Sequence, residues 1–466
     1  MTNAKVGTVI ELPERQNTQE QTLHIFNGPR GIAARILSRA ESSDSYIERM
    51  IDHELRDNNE WTHYDKSLLI ELVYGTLRWQ NRLDWILTGF YHGEFSKCIT
   101  PVKNAMRIAL YQLMMLSKIP PSVAIGEAAT LIKRVKDEKS GNVVTAVLKN
   151  ILRNLDNIRY PNKDDNIQLF YSVTLSHPMW MVRRWCERYG DELAEKILSG
   201  NNERPAVQLR VNQTRSTLEY VEHWLRERDI SFEQSPFSKL YLRINGLQQV
   251  EFMDIYHQGF VSRTDASNQL VVQLAALQDG MTVINLGTPV GTKAFASAEA
   301  LHNKGRVIAL AKFDEQLNYL RRHATRLGLT CFEGIAASSF TEKNVADVVM
   351  AEARSSEVGL LQRKPELKWQ NELDSVKRHV KSQRALLTEA VSLVKKNGVV
   401  IYIVPSHEPE ESSEQVAWFL ENFPNFILEN AEGFLPADVV ENNVMKLHPH
   451  IHKTDGVFAV RFKRTS

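Results

Sequence analysis

Four short segments hold the residues whose types and spacing bear on chemistry. The first, NLGTPVGTKAF, places Gly287, Gly291 and Lys293 between an apolar run and a helical pattern. Glycines there let a nucleotide approach the backbone at a helix N-terminus. The spacing is neither GxGxxG nor a Walker loop, and the same residues also suit an ordinary strand-to-helix turn. The second, RVIALAKFDE, ends its apolar run at Ala311, where nucleoside-binding sheets usually present an acid to the ribose hydroxyls. Asp314 comes too late for that task and is placed to cap the next helix. This counts against a nucleoside cofactor held in the usual way. The third, EARSSEVGLLQRKPELKW, sets Arg354, Arg363, Lys364 and Lys368 near Trp369. Basic residues beside an aromatic can grip a nucleic acid and stack on a base; a solvated loop anchored by one tryptophan would read the same way. The fourth, IVPSHEPEESSEQV, offers Ser406 beside His407 and then Glu410, Glu411 and Glu414. Adjacent Ser and His are not a hydrolase signature, because catalytic partners meet in space and need an oxyanion hole. The glutamates suit the start of a helix.

These segments follow one another at the ends of alternating elements. TVINL, RVIALA, VADVVMAE and GVVIYIV are short Val- and Ile-rich strands, and amphipathic stretches such as EQLNYLRRHATRLG lie between them. Strand–helix alternation predicts a parallel, doubly wound Rossmann-like sheet over residues 256–466. Ligands of such a sheet bind beyond the carboxyl ends of the strands, where the four segments converge. Residues 161–255 mix helices (HPMWMVRRWCERYG, DELAEKILSGN) with strand-like runs (AVQLRVN, KLYLRING) and predict a small α+β connector. Residues 23–160 read as helices only, with i, i+3, i+4, i+7 apolar spacing in SLLIELVYGTLRWQNRLDWIL and KNAMRIALYQLMML. Pro101, Pro120-Pro121 and Gly141 punctuate them, so an all-α bundle is expected. Residues 1–22 are polar, without periodicity, and are expected to form a loose tail.

Composition narrows the class. The chain has 466 residues, 43% hydrophobic and 24% charged, which excludes collagen-like, low-complexity and largely disordered classes and suggests several domains. With 57 basic and 56 acidic side chains, net charge decides nothing, and any case for a polyanion must be local. Residues 101–160 carry ten basic side chains against four acidic ones, including Lys133, Arg134, Lys149 and Arg153, a candidate phosphate-binding face. Cys98, Cys186 and Cys331 lie far apart and suggest neither a disulfide framework nor a metal site. With no apolar leader and no apolar run long enough to span a bilayer, a cytoplasmic protein with no membrane partner is expected.

The chain resembles the Sun/Fmu/RsmB group of bacterial ribosomal RNA (cytosine-C5) methyltransferases over nearly its whole length from about residue 25. ELVYGTLRWQNRLDWIL, IALYQLMMLSKIPPSVAIGEA and NVVTAVLKNILRN are similar to that family's NusB-like RNA-binding domain. SHPMWMVRRW and LRVN resemble its connector. GLLQRKPELKW, SQRALLTEAVSLVKKNGVVIY and PEESSEQV resemble its methyltransferase domain. The resemblance implies S-adenosylmethionine-dependent methylation of a small-subunit rRNA cytosine. In that chemistry one thiolate adds to C6 of the base and a second cysteine assists resolution of the adduct. A thiolate suits the task because it is nucleophilic near neutral pH and can also depart.

At the positions that perform this chemistry the sequence departs from the family. Where the family reads close to DLCAAPGGKT, Gly291 and Lys293 remain, but Asn285 replaces the acid, Gly287 the cysteine, Val290 the proline and Thr292 a glycine. Ala311 stands at the ribose-binding Asp and Ile335, in EGIAAS, at an Asp near the adenine. DAPCSG becomes EARSSE, so Ser355 occupies one cysteine position; STCS becomes IVPS, so Pro405 occupies the nucleophile's. Losing one hydrogen-bonded carboxylate costs about 1.5–3 kcal/mol of affinity. Three such losses, if additive, total ~4–9 kcal/mol, which turns a micromolar site into one scarcely binding at millimolar. The leading expectation is therefore an RNA-binding family member without methyltransferase chemistry, docking on small-subunit rRNA through Lys133, Arg134, Lys149, Arg153, Arg363, Lys364, Lys368 and Trp369. No cofactor is expected unless activity survives. The rivals are an active enzyme that holds S-adenosylmethionine by altered contacts, and a scaffold whose sheet domain binds a protein.

Overall fold

The computed structural model describes residues 26–41, 47–244, 250, 253–287 and 290–466. The tail expected over 1–22 lies outside them. The chain divides after Ser176 into two compact units.

The first unit is helical: α1 Gly28–Ala40, α2 Ile47–Asp57, α3 His63–Phe90, α4 Thr100–Met115, α5 Pro121–Val135, α6 Glu138–Arg153 and α7 Ile167–Thr174. Local chemistry sets the starts. Thr62 and Asp65 form a reciprocal capping box at α3, Pro121 opens α5, and the Asp137 carboxylate accepts the Ser140 N–H at 2.7 Å before α6. Leu69, Leu72, Val73 and Leu87 of α3 are buried, as are Met106, Ala109 and Leu110 of α4 and Leu148 and Ile151 of α6. Buried Arg107 is matched by Asp84 at 2.6 Å and Glu41 at 2.5 Å. Helix α7 belongs to this unit: the Asn81 side chain donates to the Ser172 carbonyl at 2.8 Å, and the Asn81 N–H donates to Ser176 Oγ at 3.0 Å. The reading of Gly141 as a break is corrected. It lies inside α6, where a Cβ would come within 2.4 Å of Lys133 Cγ and 2.9 Å of the Ala129 carbonyl oxygen. The glycine permits close approach of α5 and α6 rather than ending a helix. No helix among the described residues is long and apolar enough to cross a membrane.

The second unit opens with α8 Met179–Tyr189 and α9 Asp191–Asn201, then an antiparallel sheet in the order β2-β3-β1-β4 (β1 Val207–Val211, β2 Phe232–Ser235, β3 Ser238–Ile244, β4 Val261–Arg263). Helix α10, Leu218–Arg226, covers it with Val221, Trp224 and Leu225. Then α11 Ser267–Ala275 leads into the larger sheet: β5 Thr282–Leu286, α12 Thr292–Ala300, β6 Arg306–Ala311, α13 Asp314–Leu327, β7 Phe332–Ala336, β8 Ala346–Glu352, α14 Val380–Leu393, β9 Val394–Val404, α15 Ser413–Asn422, β10 Phe426–Glu429, β11 Val440–Glu441, β12 Val444–Lys446 and β13 Phe458–Arg464. Among the described residues nine strands run in the order β11-β12-β13-β9-β8-β5-β6-β7, with β10 paired to β13. Strands β5 to β9 are parallel neighbours, as the alternation predicted; β13 joins β9 antiparallel and extends the sheet. The strand order reverses between β5 and β8, so the crevice at their carboxyl ends is the topological switch point. Alternating residues feed the two faces: Val283, Val307 and Met350 on the side of α11 to α13, Ile284, Ile308 and Val349 on the side of α14.

Candidate functional site

Gly287 follows β5 with φ +76°, and a Cβ on it would lie 2.1 Å from the Glu352 carbonyl oxygen. Only glycine lets the tips of β5 and β8 meet this closely. Gly291, at φ +71°, precedes α12, and a Cβ there would strike the Leu320 side chain at 2.4 Å. Thr288 and Pro289 lie outside the described residues. Lys293, in the first turn of α12, donates to Glu352 Oε2 at 2.8 Å, and both side chains are largely shielded from solvent. Glu352 Oε1 is buried with no hydrogen-bond partner among the described residues; so are both amide atoms of Asn285, which is wholly buried. Glu352 escaped the reading of the sequence, although an acid closing the strand VVMAE was its signal.

The next two strands present no charge to the crevice. Ala311 is buried within the apolar core on the α12 face, and Ile335 packs against the core on the opposite face. After β6 the Lys312 N–H donates to Gln316 Oε1 at 2.9 Å, and the Phe313 ring is 74% exposed.

The loop after β8 is fixed by a side chain and a backbone carbonyl from the loop after β9. The Ser356 N–H and hydroxyl donate to the Glu411 carboxylate at 2.8 and 2.6 Å, and the Gly359 N–H donates to the Pro405 carbonyl at 3.0 Å. Buried Ser355 accepts the Glu357 N–H at 3.1 Å, while exposed Arg354 offers its carbonyl to Gln383 Nε2 at 3.0 Å. Burial pushes the Glu411 carboxyl up, against the downward pull of its hydrogen bonds from Ser356. Glu408 is the second anchor. It accepts from Arg184 Nε at 2.5 Å, Arg188 at 2.8 Å and the Trp185 indole at 2.9 Å. Burial alone would raise its carboxyl; Arg188, Trp185 and Arg184 more than offset this and hold it below the usual range. As expected, Glu410 and Glu411 lie in a helical turn, the 3-10 turn Pro409–Glu411 just ahead of α15, and Glu414 lies in the first turn of α15; in addition Glu410 pairs with Arg184 at 2.5 Å and Glu411 holds Ser356. Next to them, His407 is half-buried with its ring 4.6 Å from that of His448.

The basic residues of the third segment are mostly turned inward. Lys368 is completely buried and donates to Asn202 Oδ1 at 2.6 Å. Arg363 bridges Asp455 at 2.5 Å and Asp265 at 2.8 Å, and Lys364 pairs with Glu357 at 2.6 Å. Trp369 is half-buried. The reading of Lys368 and Arg363 as nucleic-acid contacts is therefore corrected: each charge is neutralised or hydrogen-bonded within the fold. On the helical unit Lys133, Arg134, Lys149 and Arg153 are all exposed. They do not form one cluster. Lys133 lies against Gly141 near the start of α6, whereas Lys149 and Arg153 share a face of the same helix about 12–18 Å further along at 1.5 Å per residue.

Comparison with known proteins follows this architecture. Residues 27–153 match the NusB family, 177–251 the RsmF/B-like ferredoxin-like domain, and 272–463 the 16S rRNA methyltransferase RsmB/F model. A Bacillus subtilis (strain 168) protein named probable ribosomal RNA small subunit methyltransferase B is 28% identical over 448 residues, 93% of this chain and 98% of that one. Ribosomal RNA small subunit methyltransferase B of Proteus mirabilis (strain HI4320) is 27% identical over 87% of this chain and 94% of its own. Among solved structures, PH0851 shares the fold, with TM-score 0.78 and 22% identity over 94% of this chain and 99% of that one.

Proposed function

We propose that this chain is an RNA-binding member of the RsmB/F family of ribosomal RNA methyltransferases in which the methyl-transfer chemistry has been lost, a reading supported by the match of residues 272–463 to the RsmB/F model. The observation that carries this reading is the pair of residues at the family's thiol positions. Ser355 has a hydroxyl tied to the Glu357 N–H, and Pro405, whose carbonyl accepts from Gly359, has no side-chain nucleophile. A serine hydroxyl needs a dedicated base to attack, and no histidine or carboxylate is hydrogen-bonded to Ser355 Oγ among the described residues. The residues at the crevice also do not fit S-adenosylmethionine held in the family's manner. Ala311 and Ile335 belong to apolar clusters, and Asn285 offers an amide in place of a carboxylate.

What the chain keeps is the means to hold RNA. Its helical unit carries exposed basic side chains on α5 and α6, and its relatives are named for small-subunit rRNA. That RNA is the substrate class proposed for binding, and a role in ribosome assembly without base modification follows. Calorimetric titration of the full chain with S-adenosylmethionine to about 1 mM tests the loss of the cofactor site, since a millimolar Kd leaves only ~4 kcal/mol of binding free energy. The expected result is no saturable heat at two temperatures; micromolar binding would reopen the enzyme reading.

A further inference from the structure

The second unit contains a cavity of about 30 Å³ where α8 and α9 meet the loops after β8 and β9 and the segment 448–450 that follows β12. A glycine brings α9 this near, since a Cβ on Gly200 would lie 2.5 Å from His450 Cβ. Side chains fasten the junction at its edges: Gln362 Nε2 donates to the Gly200 carbonyl at 2.7 Å, and Lys453 pairs with Glu203 at 2.7 Å. His407 Nε2, His450 Nε2 and Asn201 Nδ2, all from residues that line the cavity, are buried without a hydrogen-bond partner among the described residues. Buried polar atoms of a native fold are almost always paired, so these three call for an occupant. Among the described residues no group of three or more His, Cys, Asp or Glu side chains is placed to hold a metal ion. A water molecule does fit. The volume exceeds the ~10–15 Å³ that a water needs, and a buried water makes about three hydrogen bonds. Here it donates to the two imidazole nitrogens and accepts from the Asn201 amide.

We propose that this cavity holds one water between neutral His407 and His450 and works as a proton-operated latch: when both rings are protonated, α9 and the segment 448–453 part from the loops after β8 and β9. A water has two lone pairs. With one ring protonated it accepts from that ring and from Asn201 and still donates to the other ring. With both protonated, three donors face two lone pairs and two positive charges share the cavity. The neighbouring carboxylates are already engaged. On the side of α8, Arg184 and Arg188 hold Glu408, Arg184 also takes Glu410, and Tyr189 adds only a phenol. On the side of β11 and β12, Lys446 and His448 both take Glu441. Further along, Lys453 takes Glu203, and His452 accepts the His448 N–H at 2.8 Å and meets the Asp438 carbonyl at 3.0 Å. The loop after β8 contributes only Val358 and Gly359 to the lining. Burial, and then the nearby positive groups, bring His450 down to about 4 and hold His407 well below its ordinary value, although the Val457 backbone pulls His407 the other way. An opened latch returns each ring to the ordinary value of about 6.5, so the open form binds protons more tightly and gains as pH falls from there toward 4. Opening would free both loops that frame the crevice, since Val358 and Gly359 follow Ser355 and His407 follows Pro405.

The test is hydrogen exchange of the full chain, read by mass spectrometry of its peptides and corrected for the pH dependence of intrinsic exchange. Between about pH 7.5 and about pH 5, peptides covering residues 190–203 and 446–456 are expected to lose protection on the order of tenfold, while those from β5, β6 and the helical unit keep theirs. His450→Gln supplies an acceptor that cannot take a proton, so the doubly charged state is never reached and protection is expected to stay high at about pH 5. Gly200→Ala drives a methyl group into His450 and is expected to hold the latch open at both pH values. Unchanged protection of the unaltered chain at the lower pH would overturn the proposal, as would an undiminished loss in the His450→Gln variant. A loss spread evenly over the whole chain would overturn it too, because that is general unfolding rather than a local opening. Protection at about pH 7.5 that rises on addition of zinc chloride would put a metal ion in place of the water, and would likewise overturn it.

Discussion

At the scale of single residues, the positions proposed to have lost their catalytic groups hold residues that serve the scaffold or the core. Pro405 and Ser355 hold loop geometry, and Ala311 and Ile335 are packed as apolar groups. Restoring thiols at both positions (Pro405→Cys with Ser355→Cys) is therefore expected to give no methyl transfer, because the acids that would hold the cofactor are still missing; detection of methylated cytosine in RNA incubated with this variant would contradict it. Lys368 has changed meaning in the opposite direction, from a suspected contact to a buried support. Lys368→Ala leaves Asn202 without its 2.6 Å partner and is expected to cost about 1–3 kcal/mol in urea denaturation while RNA affinity stays as in the unaltered chain. The departures from the family were legible because each is a change of residue type at a fixed place in a motif. The fate of the basic residues was not. Arg363 finds Asp455 92 positions away and Lys368 finds Asn202 166 positions away, and no local pattern announces such partners.

At the scale of elements, the loops after β8 and β9 are rigid because buried carboxylates hold them. Glu408 gathers Arg184, Trp185 and Arg188 from α8. Removing one partner of a buried ionic cluster leaves uncompensated charge, so Glu408→Ala is expected to destabilise the second unit by about 3–5 kcal/mol, read from its unfolding transition. Beside it stands a histidine cluster. His448 lies 4.6 Å from His407 and 5.6 Å from His450, and it meets Glu441 at 2.7 Å. Burial, and then the neighbouring positive groups, pull His407 well below its ordinary value and bring His450 down to about 4; burial also lowers His448 despite Glu441. Groups that bind protons more readily unfolded than folded destabilise the fold on acidification. Stability is therefore expected to fall as pH drops from about 6.5, the ordinary histidine value, toward 4. Replacing His450 by Gln should flatten that part of the pH profile of the thermal midpoint. The helices and the parallel strands β5, β6, β8 and β9 were readable from periodicity. Strands β10, β11 and β12 were not, since two to four residues cannot establish a period. Gly141 misled because a glycine that ends a helix and one that lets two helices touch look alike in sequence.

At the scale of the whole molecule, residues 272–463 match the RsmB/F methyltransferase model, while the chemistry is what we propose has been lost. Apolar patterning, capping and glycine placement survive around a crevice that offers an amide, a methyl and a sec-butyl side chain where carboxylates are expected. The buried Lys293–Glu352 pair remains at the switch point. A protein that still binds RNA through exposed basic groups must lose affinity with salt, and each phosphate neutralised contributes a slope of about −0.7 for single strands. A log–log plot of affinity for single-stranded RNA against salt is expected to fall with a slope of roughly −1.5 to −3, set by two to four contacts; affinity independent of salt would count against the basic surface. The measurement that bears most directly on the loss of chemistry is methyl transfer itself. Small-subunit rRNA, isolated from cells lacking this chain, is incubated with the purified full-length protein and S-adenosylmethionine, and its nucleosides are analysed by mass spectrometry. No added methyl group on any cytosine is the expected result, and a stoichiometric 5-methylcytosine that depends on the protein would contradict it.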